Sequence, residues 1–157
     1  MAHRATTRIR GTASRSSRRG GIPEKISSLG LEAASCSDLI EQIQRGFAFT
    51  ALQNLESKSG IVLSQLASVL GIPERTLARR KASRKLTWEE SERLLRLATV
   101  FEGAVRLFEG DVAAAVSWLT TPRKALSDHS PLAYSRTEVG AREVANLMGR
   151  LEHGIFS

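Results

Sequence analysis

Apolar residues recur along this chain at steps of three and four, and that spacing predicts a succession of helices. Leu39, Ile40, Ile43, Phe47, Ala51, Leu52 and Leu55 mark the first, with Ser37 or Asp38 as its cap. Gly46 interrupts it at a cost of roughly 1 kcal/mol against alanine, so a close helix crossing is expected there. The stripe is either core or a dimer seam. Asn54 to Gly60 then leads into a helix carrying Leu63, Leu66, Ala67 and Leu70. Gly71 ends it, where a residue tolerant of positive φ is wanted, and Pro73 suits the first turn of the next. Thr87 and Glu90 have the spacing of a capping box. The helix they open runs to about Glu109, with Leu94, Ala98, Phe101, Val105 and Phe108 on one side. Gly110 and Asp111 separate it from a helix with Val112, Ala115, Val116 and Leu119, which Pro122 stops. Arg123 to Arg136 reads as loop with one helical turn after Ser130-Pro131. Thr137 opens the last helix, whose buried stripe is Val144, Leu147, Met148 and Leu151. Neither a period-two run nor a hairpin signal is present, so the fold class is all-α.

Leu63 to Arg84 is the most informative stretch. Small Ala67 lets the second helix cross close above the first, and Leu77 fills the angle between them. This is a helix-turn-helix arrangement, in which the second helix enters the major groove. That helix presents Arg75, Thr76, Arg79, Arg80 and Lys81 against a single acid, Glu74. Arginine forks onto guanine O6 and N7 or clamps phosphate, so the chemistry suits a reading helix. Gln65 and Arg84 complete the expected DNA-facing set. The alternative is the solvated basic face of an ordinary small helical bundle.

Composition adds to this picture unevenly. The 157 residues carry 23 basic and 16 acidic side chains, a net charge of +7, with a pI near 10.5. An acidic partner is favoured, nucleic acid above all. Much of the surplus lies in the first 30 residues, however: Arg4, Arg8, Arg10, Arg15, Arg18 and Arg19 precede the first acid, Glu24. Isolated Ile9 and Ile22 cannot nucleate a core, so residues 1–30 are expected to form a basic, disordered tail. It either tracks phosphates or serves as a solubilising leader. Its composition is also that of an organelle transit peptide, which the rest of the chain does not favour. A lone Cys36 excludes an internal disulfide and fits a reducing compartment. No stretch is long and apolar enough to span a membrane, and no apolar h-region opens the chain.

Catalytic chemistry finds no footing. His3, His129 and His153 are far apart in sequence and none stands at metal-ligand spacing with Cys36. Cys36 lies near a helix start but has no local base, and reads as a small half-buried residue. Glu89 and Glu90 sit at a helix N-terminus, where the dipole accounts for them. No enzyme activity, metal or cofactor is expected. Near the end of the chain, before Ser157, stand Ile155 and Phe156, apolar residues expected to fold back or be received by a partner.

From Ile43 to Ser157 the chain resembles the Xre/MbcA/ParS-type antitoxins, the DNA-binding half of bacterial toxin–antitoxin pairs. The resemblance rests on Glu74 to Lys81, on Leu86 to Ala98, on Trp118-Leu119-Thr120-Thr121-Pro122 and on Ala125-Leu126. It continues through Ser130-Pro131-Leu132, Thr137 to Ala141, and Arg150 to Phe156. Ser127-Asp128 depart from it, standing where the family usually has glycines; Ala133-Tyr134 and Glu92 depart too. The resemblance implies an Xre-like helix-turn-helix domain over 31–100 and a small helical toxin-binding domain over 101–157. It implies as partners operator DNA and a cognate toxin, most often a RES-domain enzyme that consumes NAD, in a homodimer or a larger toxin–antitoxin hetero-oligomer of the bacterial cytoplasm. The C-terminal end would cover the toxin's active-site cleft. Trp118, Arg150, Leu151, Glu152, His153, Gly154, Ile155 and Phe156 are then the expected toxin-facing residues. A stand-alone regulator with a ligand-sensing second domain is the rival reading.

Overall fold

Short polar side chains begin most helices, each accepting a backbone N–H that the first turn leaves unpaired. In the computed structural model, which describes residues 25–154, Ser35 caps α1 (Cys36–Arg45) and Thr87 caps α5 (Trp88–Leu107). Asp111 caps α6 (Val112–Thr120), Ser130 the single turn α7 (Pro131–Tyr134), and Thr137 α8 (Glu138–Glu152). Between α1 and α5 lie α2 (Phe49–Ser59), α3 (Leu63–Leu70) and α4 (Glu74–Ser83). The all-α architecture follows. A helix-turn-helix bundle leads into a small helical C-terminal part.

The first apolar stripe is not one helix but two, α1 and α2, broken at Gly46. This glycine has φ 82°, and a Cβ there would overlap the carbonyl oxygen of Leu86. Phe47 and Leu86 join backbones across the break (Leu86 N to Phe47 O, 2.9 Å), as do Arg84 and Phe49. The close neighbour at Gly46 is therefore not the expected crossing helix but the strand-like segment after α4. The cap is Ser35 and not Ser37 or Asp38; Asp38 instead accepts the N–H of Ala34 at 2.9 Å. Ile40, placed on the buried stripe by spacing, is 48% exposed.

A second correction concerns residues 25–30, expected to be tail. Lys25–Ile26 (β1) and Leu31–Glu32 (β2) pair antiparallel around a tight 3-10 turn. Ile26 and Leu29 are fully buried, each worth about 1.5–3 kcal/mol of apolar transfer. The turn is pinned from two helices. Glu102 of α5 accepts the N–H of Ser28 at 2.8 Å and its hydroxyl at 2.7 Å. Asn54 of α2 donates to Leu29 O at 2.9 Å, and Lys58 donates to Ser27 O. A two-rung hairpin is too short to show a period of two, which is why the pattern missed it. Residues 1–24 lie outside the described residues.

Helix α5 is the axis on which the rest is assembled. Leu94, Ala98 and Ala104 are fully buried, and Leu97, Val100 and Phe101 nearly so. α1, α2 and α3 pack on it from one side of the sequence, and α6 and α8 from the other. One continuous hydrophobic cluster runs from Ile26 to Met148. The division expected at residues 100 and 101 therefore falls inside an unbroken helix and an unbroken core.

Candidate functional site

The α3–α4 turn is built as the sequence demands. Gly71 takes φ 69°, and Ile72 N returns to Ala67 O at 2.9 Å while Gly71 N bonds Ser68 O at 3.1 Å, closing the helix end. Arg93 of α5 reaches over and donates to Leu70 O at 3.2 Å. Pro73 stands one position before the first helical residue, and its carbonyl accepts Leu77 N at 2.8 Å. Ala67 is buried and Leu77 half-buried in the angle.

No residue of α4 is buried. Thr76, Leu77 and Arg80 are half-buried and mark the face turned to the bundle, while Arg75, Ala78, Arg79, Lys81 and Ala82 face solvent. Gln65 and Arg84 are exposed as well. Arg79 leans on Thr76, donating to its hydroxyl at 3.3 Å. Arg84 has φ 61° and ends the helix, with its carbonyl held by Phe49 N at 3.0 Å. Arg80 differs from its neighbours. Its Nε donates to both carboxylate oxygens of Glu90, at 3.0 and 2.9 Å, and Glu90 is itself 6% exposed. The sequence placed Arg80 among the DNA-facing residues; the structure turns it inward, because Glu90 sits opposite it on α5.

At the other end Trp118 is also withdrawn. It is 6% exposed, with the Phe108 ring 6.4 Å away and the Arg123 guanidinium 5.6 Å over its face. It is a core residue under the 121–130 loop and not an exposed contact. Arg150 and Leu151 are half-buried at the end of α8, and Glu152, His153 and Gly154 are exposed. Ile155 and Phe156 lie outside the described residues.

Sequence reasoning missed a groove of about 520 Å³ between α5 and α8. Leu95, Val100, Ala141 and Met148 give it an apolar floor. Arg96 crosses its rim to Glu138 at 3.0 Å, and Glu138 also meets Arg142 at 3.8 Å. Ala141, Ala145 and Gly149 at four-residue steps were the one available signal. Among the described residues, no cluster of three His, Cys, Asp or Glu could hold a metal, and no helix is long and apolar enough to cross a membrane. Cys36 is exposed, where half-burial was expected.

An exposed basic helix held by a glycine-closed turn, continuous through α5 with a second helical layer, defines a helix-turn-helix protein with an appended C-terminal part. Residues 38–98 match the family described as the antitoxin Xre-like helix-turn-helix domain. Residues 103–154 match the antitoxin Xre/MbcA/ParS C-terminal toxin-binding domain. The antitoxin Xre of Yersinia enterocolitica serotype O:8 / biotype 1B is 40% identical over 130 residues, 82% of this chain and 88% of that one. That of Photorhabdus laumondii subsp. laumondii is 33% identical over 130 residues, with the same shares of 82% and 88%. That of Pseudomonas putida is 32% identical over 124 residues, 78% of this chain and 76% of that one. The chain belongs to the Xre antitoxin family.

Proposed function

We propose that this antitoxin works in the bacterial cytoplasm at two surfaces. It neutralises a RES-domain, NAD-consuming toxin by laying its C-terminal end, residues 150–157, over the active-site cleft. It represses its own operon by setting α4 in the major groove, as a dimer joined through its N-terminal helices. The observation that carries the DNA half is the outer face of α4, where Arg75, Arg79 and Lys81 stand exposed with no buried residue on the helix. The exposed Ile40 on α1 supports the dimer seam. Supporting the toxin half is the end of α8, where Glu152 and His153 project past the core. Neither surface requires a reactive centre, and the chain acts as an inhibitor and not as an enzyme.

The two halves separate experimentally. Replacing Arg75 and Arg79 together with alanine removes two exposed cations and should abolish the operator gel shift while toxin capture persists. A chain ending at Gly149 should still shift operator DNA but leave the toxin active; full protection by the shortened chain would refute capping by the terminus.

A further inference from the structure

The inner face of α4 carries a charge pair that the reading surface does not need. Arg80 follows Leu77 by three residues and Thr76 by four, so it lies on the half-buried side of the helix. Its partner cannot swing to follow it outward. Glu90 Oε2 accepts Thr87 N at 2.9 Å, and Glu90 N donates to Thr87 Oγ1 at 3.2 Å, so the carboxylate is fixed by the capping box of α5. The next residue, Ser91, is fully buried, donates to Thr87 O at 2.6 Å and accepts Phe47 N at 2.8 Å. The N-terminus of α5 is thereby locked to the α1–α2 break, and Arg80 ties α4 to that lock. At 8% side-chain exposure the Glu90 carboxylate is shielded from solvent, where losing its cation leaves a charge without compensation.

We infer that Arg80 is a positioning residue for DNA recognition: paired with Glu90 it fixes the angle of α4 on α5, and the duplex is met by Arg75, Arg79 and Lys81. This rests on the reading of α4 as the DNA-facing helix. It assigns Glu90, an acid that never meets the duplex, a favourable part in binding it. Simple charge counting gives the opposite sign, since deleting a negative charge beside a basic surface strengthens attraction to phosphate.

The test uses the full-length chain and a duplex carrying its own promoter region, with affinity measured across a range of salt concentrations. Glu90→Gln keeps an acceptor for the capping box, which tolerates glutamine, and removes the charge. Arg80→Met keeps the stem length. Each variant should bind about tenfold more weakly, and the double variant no more weakly than either single one. The salt dependence should stay that of the parent, whereas Arg79→Ala should lower its slope by about 1. Circular dichroism establishes that each variant keeps its helices; if Glu90→Gln does not fold, the Arg80→Met slope alone decides. Unchanged or tighter binding by Glu90→Gln, or a slope reduced by about 1 in Arg80→Met, would overturn the inference and return Arg80 to the phosphates. Failure of the parent chain to bind the duplex would instead overturn the DNA reading, and the inference with it.

Discussion

Gly140 and Gly149 lie in the same helix, α8, and the structure assigns the same substitution opposite signs at the two. By helix propensity alone, each Gly→Ala change should stabilise by up to about 1 kcal/mol. At Gly149 nothing lies within 4 Å of the added methyl, so that gain should be realised. At Gly140 the methyl would overlap the Tyr134 carbonyl oxygen and come within 2.9 Å of its carbon. Both of those atoms belong to backbone, so no rotamer change relieves the contact. The methyl would also stand 3.1 Å from Thr137 Oγ1, the atom that caps α8 by accepting Gly140 N at 3.0 Å. Overpacking costs about 1–3 kcal/mol, and a weakened cap adds up to about 1 kcal/mol. Set against the propensity gain, Gly140→Ala should lose about 2 kcal/mol, a fall in Tm on the order of 4–8 °C for a chain of this size. Urea unfolding followed by helical circular dichroism, extrapolated linearly to water, gives both values. Stabilisation by Gly140→Ala, or equal shifts in the two variants, would refute the close packing of α8 on the end of α7.

Other substitutions probe the remaining elements. Ser127 has φ 54° and Asp128 φ 62°, so Ser127→Gly should raise stability by roughly 0.5–1 kcal/mol by relieving a left-handed residue, read from the urea midpoint. Trp118→Ala should cost about 3–5 kcal/mol of stability. Trp118→Phe, which keeps an aromatic face for Phe108, should be far milder and should leave toxin affinity unchanged in the folded protein. Ile40→Glu places a charge on an exposed apolar position of α1 and should shift sedimentation toward the monomer without altering the unfolding midpoint by more than about 0.5 kcal/mol.

The sequence was most legible where a feature is local. The capping box at Thr87, the Gly71 stop and the caps at Asp111 and Thr137 depend on residues three or four positions apart, and spacing exposes them directly. At positions 127 and 128, where the resemblance leads one to expect glycines, the structure supplies the reason that spacing does not: both backbones are left-handed. What stayed hidden depends on partners distant in sequence. Arg80 looked like one more cation because Glu90 meets it only after α4 and α5 are folded. Gly46 suggests a close crossing but not what makes it, since Leu86, which lies against it, comes 40 residues later. Trp118 lies within one of the blocks that carry the resemblance, and nothing in the pattern separates a packing residue from a contact residue.

The residues matched to the DNA-binding half end at 98 and those matched to the toxin-binding half begin at 103, both within α5. No hinge or tether separates the two parts, so a chimera exchanging front and back between relatives would have to splice through the middle of a buried helix. Its two parents would need compatible side chains at the buried positions Leu94, Ala98, Phe101 and Ala104. Under the proposed function, diversification of operator and toxin specificity is therefore expected through point changes on α4 and at the end of α8, and not through the recombination of halves.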